Sequence, residues 1–193
     1  MLAVLVTMLA PISGAHLNPA VTLTLLLRRE IAVGDAIFYM LAQLVGAIIG
    51  VLASHAMFDL PLIEVSSKVR SGSSQALSEW VATFGLITTI LLTRRVKPDA
   101  VATSVGLYIT AAYWFTASTS FANPAVTIAR AFSDTFAGIR PADIALFCAA
   151  EFVGAACAAG LSRLLAGPMR PLSPMQRSQQ RPHSEPEVAR VLF

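Results

Sequence analysis

Charge is scarce in this chain. Only 13% of its 193 residues are Asp, Glu, Lys or Arg, about half the roughly 25% usual in a soluble domain. With 14 basic and 11 acidic residues, the net charge of +3 is too small and too scattered to indicate nucleic acid. Cysteine is nearly absent as well. Cys148 and Cys157 lie nine positions apart in one apolar run, a spacing that suits neither a disulfide nor a metal site, so both read as packing residues. The three histidines show no ligand spacing. No nucleophile–base pair and no phosphate-binding loop is present, so neither an enzyme nor a cofactor is expected. The N-terminus lacks the charged start and cleavage site of a signal peptide.

What remains is apolar: 55% of the residues are hydrophobic. Runs at Ala36–Met57, Ala76–Thr93, Ala100–Thr119 and Ala142–Ala166 lie near the roughly 20 residues that a helix needs to cross a bilayer. Met1–Leu27 adds a further stretch, read as broken by Pro11 and by the turn over Gly14–Pro19. These runs predict an all-α membrane protein of several helices. Arg28, Arg29, Arg94, Arg95, Lys97, Arg163 and Arg170 flank the runs on one side, and the positive-inside tendency makes that side cytoplasmic. Lys68 and Arg70 then fall outside, as do Arg130 and Arg140. Residues 167–193, rich in Pro, Ser, Gln and Arg, are expected to be a disordered cytoplasmic tail after a membrane domain over 1–166.

Asn-Pro-Ala occurs twice, at Asn18-Pro19-Ala20 and Asn123-Pro124-Ala125, and each copy continues Val-Thr. The copies are 105 residues apart, while Ala42-Gln43-Leu44-Val45-Gly46-Ala47 and Ala150-Glu151-Phe152-Val153-Gly154-Ala155 match at an offset of 108. An odd number of crossings separates the two halves, which makes this an inverted repeat with its site at the midplane. Gly46 and Gly50, echoed by Gly154 and Ala158, are read as helix-packing residues.

Proline suits the first turn of a helix, and the preceding Asn can cap that helix through its side-chain oxygen. The Asn NH₂ group is then expected to point away as a free donor. Two such half-helices would need each other for cover, since irregular backbone is tolerated in a membrane only against protein or a water-filled cavity. Together they would accept an oxygen-bearing neutral solute and repel cations.

With the stretches SGAHLNPAVT, FANPA and AQLVGA, and with Glu79 early in a span, the chain resembles the aquaporin, or major intrinsic protein, family. The resemblance implies a tetramer with one passive pore per subunit. It implies that Asn18 and Asn123, with their Pro and Ala neighbours, form the pore midplane. His16 then braces the cytoplasmic mouth and Glu79 supports a re-entrant loop. It also places three positions of the pore's narrowest point at Ala111, Ser120 and Val126. The family's second motif normally continues with Arg, where this chain has Val126. Losing a guanidinium removes a charge and several donors, so a wider, less polar constriction is expected. That pattern is similar to bacterial aquaglyceroporin-like channels associated with arsenic resistance, which implies passage of water, glycerol and neutral metalloids such as arsenous acid across a bacterial inner membrane.

By the same resemblance, the first span and part of the second fall before Met1, so the sequence is expected to be an N-terminally truncated form. A non-conducting remnant and a secondary transporter are the alternative readings. Arg130, one turn beyond Val126, is read either as a partial substitute for the missing arginine or as a snorkelling side chain. Glu151, which repeats Gln43, is expected to make an interhelical hydrogen bond. Tyr113, Trp114 and Phe115 suit a membrane-interface belt.

Overall fold

The computed structural model describes residues 1–165, so the expected tail lies outside the described residues. Among the described residues there is no strand. The helices are α1 (Leu2–Ser13), α2 (Pro19–Leu27), α3 (Val33–Met57), α4 (Ser73–Val96), α5 (Val101–Phe115), α6 (Pro124–Ala129) and α7 (Ile144–Leu165). Short 3₁₀ turns lie at Pro98–Ala100, Arg130–Phe132 and Pro141–Asp143. Three helical segments are long and apolar enough to cross a membrane: Val33–Met57, Ser73–Val96 and Pro141–Leu165. The chain is a multi-pass membrane protein.

Two boundaries differ from the sequence reading. Pro11 does not break α1 but lies inside its last turn; the helix stops at Gly14, which takes a left-handed conformation at φ 75°. The proline forfeits the hydrogen bond to the carbonyl four residues before it, that of Thr7, and crowds that carbonyl, but the helix carries on for two residues past it. The run Ala100–Thr119 is helical only as far as Phe115. Thr116 turns extended (φ −101°, ψ 139°) and ends the helix, ahead of the positive φ at Thr119, Ser120 and Ala122.

Helix α4 is the hub. One side of it packs through Ile87 and Leu91 against Ala20 and Val21 of α2 and Ala155 and Ala158 of α7. Its other side packs through Ala82 and Leu86 against Val105 of α5 and Ala122. Gly154 permits the close approach of α7 to α4: a Cβ there would lie 2.7 Å from the Trp80 carbonyl oxygen. In lipid no hydrophobic force drives helices together, and small residues with close van der Waals contact do so instead.

The repeat is not symmetrical in this respect. Gly46 and Gly50 meet nothing within 4 Å, so they do not pack the bundle as expected, whereas Gly154 and Ala158 do. In α3 only Ala36 and His55 are buried, and Ile37, Phe38, Leu41, Val45 and Ile49 are exposed. The C-terminal end of α3 is nonetheless tied down. His55 is buried, with Nδ1 2.7 Å from the Pro61 carbonyl and Nε2 2.9 Å from Ser133 Oγ. A carbonyl only accepts, so Nδ1 carries the proton there.

Candidate functional site

The two Asn-Pro-Ala segments meet. Asn18 and Asn123 are the residues before α2 and α6, each extended (φ −161° and −159°), with Pro19 and Pro124 opening the helices. Asn18 Oδ1 accepts from the Ala20 N–H at 2.8 Å, and Asn123 Oδ1 accepts from the Ala125 N–H at 3.1 Å. The capping expected from sequence is therefore present at both ends.

The NH₂ groups are not wholly free, which corrects the sequence reading. Asn18 Nδ2 donates to the Ala122 carbonyl at 2.7 Å, and Asn123 Nδ2 donates to the Leu17 carbonyl at 2.9 Å. Each amide carries two donor hydrogens, so one per Asn clasps the opposite loop and one remains. The physical reason lies in the backbone. Gly14, Ala15 and Leu17 have positive φ, and so do Thr119, Ser120 and Ala122, at the same places before each Asn. The paired left-handed residues leave the Leu17 and Ala122 carbonyls facing the partner amide. A left-handed non-glycine residue is strained and persists only where its surroundings over-determine it.

For the second loop those surroundings are two buried carboxyl groups. Glu79 accepts from the Phe121 N–H at 2.9 Å and the Ala122 N–H at 2.7 Å. Glu151 accepts from the Asn123 N–H at 3.0 Å and the Thr127 hydroxyl at 2.7 Å. Three consecutive backbone donors of the second loop thus end on carboxylate oxygens contributed by α4 and α7. In the first half Gln43 stands where Glu151 stands in the second, and its Nε2 donates to Thr22 Oγ at 3.0 Å. Thr22 and Thr127 are the Thr of the two Val-Thr pairs.

His16 is half-buried, its Nδ1 3.3 Å from Thr22 Oγ, and its ring stacks on Tyr39 at 4.6 Å. Tyr39 in turn donates to the Ser13 carbonyl. Sequence reasoning missed Tyr39, because nothing in its spacing distinguishes it from an interface tyrosine. It also missed Arg70, whose buried guanidinium donates to the Gly138, Ser118 and Phe136 carbonyls at 2.7, 2.8 and 3.0 Å. Burial pushes the Arg70 guanidinium below its usual pKa, and Glu79 and Tyr113 oppose that shift. Arg70 locks the connection between α3 and α4 against the segments on both sides of α6.

A cavity of about 540 Å³ opens beside the junction, lined among others by His16, Tyr39, Gln43, Asn123, Ala125 and Val126. Of the three expected constriction residues only Val126 reaches it. Ala111 is exposed on α5, and Ser120 is buried with its hydroxyl unpartnered. The left-handed turn over Thr119 and Ser120 carries the Ser120 side chain into protein. Asn18 is only 6% exposed and does not line the cavity either. Among the described residues no cluster of His, Cys, Asp or Glu could hold a metal.

Just past α2, Glu30 bridges Arg28 at 2.6 Å and Arg94 at 2.7 Å. Burial pushes the Glu30 pKa up, but the hydrogen bonds from both arginines outweigh it and hold the carboxyl below its usual range. Arg28 also reaches Ser162 of α7 at 3.0 Å, so this group of residues fastens the C-terminal end of α2.

Comparison with known proteins agrees with this geometry. Residues 1–98 match the model of the family described as Major intrinsic protein. The chain is 56% identical over 171 residues to Aquaglyceroporin AqpS of Rhizobium meliloti (strain 1021), covering 89% of this chain and 73% of that protein. It is 32% identical over 168 residues to Aquaporin-1 of Ovis aries, covering 81% of this chain and 61% of the relative. To Aquaporin-5 of Ovis aries it is 37% identical over 112 residues, covering 53% of this chain and 42% of the relative. Three long apolar helices, two re-entrant half-helices joined Asn to loop, and these likenesses lead to one conclusion: the chain belongs to the major intrinsic protein family, the aquaporins.

Proposed function

We propose that the chain forms a passive channel for small uncharged solutes: water, glycerol and neutral metalloid hydroxides such as arsenous acid. Asn18-Pro19-Ala20 and Asn123-Pro124-Ala125 form its midplane, where the unused amide hydrogens are donors to a passing oxygen atom. Val126 lines its narrow region, and His16 and Glu79 hold the two loops in place. The channel is a homotetramer in the bacterial inner membrane.

The observation that carries this reading is the side chain at Val126. It lines the cavity next to Asn123 and brings neither charge nor donor. Such a wall leaves selection to width and to the Asn amides, which favours compact neutral molecules rich in oxygen. The naming of the 56%-identical relative as an aquaglyceroporin supports a polyol-sized passage.

Val126→Arg tests it. The guanidinium narrows the cavity and adds donors, so uptake of glycerol and arsenite into liposomes should fall at least severalfold while water flux changes little. Unchanged solute uptake would remove Val126 from the selecting wall.

A further inference from the structure

Among the described residues, Arg130 is the one basic side chain near this site whose structural work is unaccounted for. It follows α6 directly, at the first position of the 3₁₀ turn Arg130–Phe132. It continues the stripe of half-buried residues on α6 that runs through Asn123 and Val126. Its guanidinium carbon lies 4.3 Å from the centroid of the Phe121 ring. Arg70 also lies against that ring, at 4.7 Å, but the two arginines differ. Arg70 spends its guanidinium on three backbone carbonyls. Arg130 is half-buried, and its side chain makes no hydrogen bond or ion pair with any described residue.

The ring beneath Arg130 is itself fixed. Phe121 is 4% exposed and meets Phe147 edge-on at 5.4 Å, and Glu79 holds its backbone N–H. A cation on an aromatic face is attracted by the ring quadrupole, so the guanidinium is held in place without losing any of its five donors. The internal repeat does not require a cation here. Subtracting the 105-residue offset from position 130 gives Leu25 in the first half, an apolar residue.

We propose that Arg130 is a specificity-determining residue of the outer mouth, donating to the oxygen atoms of entering neutral solutes and turning cations away. This assignment rests on the channel reading. Val126 leaves the cavity wall without charge, and Arg130 supplies a guanidinium one turn further along the same face of the chain. A planar fork of donors suits a molecule with adjacent hydroxyl groups. The fixed positive charge opposes entry of monovalent cations.

The test uses the full chain reconstituted in liposomes, with water and glycerol permeability read by light scattering and sodium leak read by a fluorescent indicator. R130Q should lower the glycerol-to-water permeability ratio about fivefold, the loss expected from one net hydrogen bond, and should raise the sodium leak. R130K keeps the charge without the fork, so its leak should stay at the unchanged level while its ratio falls about twofold or more. A ratio and leak unaltered in R130Q overturn the assignment. So does a parallel fall of water and glycerol flux, which marks a structural role. If R130Q does not fold, an unaltered ratio in R130K overturns it equally. Absence of flux through the unchanged chain overturns the channel reading and this assignment with it; flux that persists unaltered in both variants overturns only the latter.

Discussion

Replacing Glu79 by Gln should disrupt the second loop more than any exposed change of the same size. Glu79 is fully buried and receives two backbone N–H groups, from Phe121 and Ala122. Gln keeps one acceptor oxygen and sets an NH₂ against the other N–H, so one buried backbone donor loses its partner and faces a second donor. An orphaned buried donor costs about 1–3 kcal/mol, and a hydrogen bond to a charged group contributes about 1.5–3 kcal/mol. The expected loss is about 2–4 kcal/mol. At roughly 2–4 °C per kcal/mol for a chain of this size, the melting temperature in detergent should drop by about 5–15 °C. The loop positions Asn123, so solute flux should fall as well. Gln75→Ala is the control: its side chain makes one hydrogen bond, to the Ala117 carbonyl at 3.1 Å, and its loss should shift the melting temperature by only a few degrees. If Glu79→Gln melts with the unchanged protein, the carboxylate does not hold the loop and the reasoning fails.

Asn18→Ala removes both the cap on Ala20 and the clasp on Ala122, and should destabilise the protein by about 2 kcal/mol in a denaturant titration. Gly154→Ala places a methyl group 2.7 Å from the Trp80 carbonyl and should lose about 1–3 kcal/mol through overpacking, whereas Gly46→Ala and Gly50→Ala should leave the melting temperature unchanged. The Glu30 clamp predicts a pH dependence. Because the folded-state pKa of Glu30 is lowered from 4.5, its contribution is present above that value and is lost as pH falls through the lowered one. Glu30→Gln should therefore flatten the acid limb of a stability–pH profile; an identical profile in the variant would contradict the clamp.

The duplicated Asn-Pro-Ala and the capping amides were legible from residue type and spacing, since a proline and its preceding Asn admit few local conformations; the supporting role of Glu79 was implied only by the resemblance to the aquaporin family. The clasp between loops was not. It depends on left-handed φ at Leu17 and Ala122, residues whose side chains give no sign of it. Ser120 was placed on the cavity wall by counting from Asn123, but counting assumes a regular backbone, and the turn over Thr119 and Ser120 is not regular. Val126 sits within α6, where helical geometry holds, and it does reach the cavity. Pro11 read as a break because proline is disfavoured within helices, yet the helix ends three residues later at Gly14. Gly46 and Gly154 are indistinguishable in sequence; only their neighbours differ.

The most direct measurement is glycerol entry into liposomes containing the unchanged full chain, with identical salt and pH on both sides. A passive channel predicts swelling that follows the glycerol gradient, exceeds that of empty liposomes and needs no ion gradient. Swelling no faster than in empty liposomes, or swelling that begins only when a sodium or proton gradient is imposed, would contradict it.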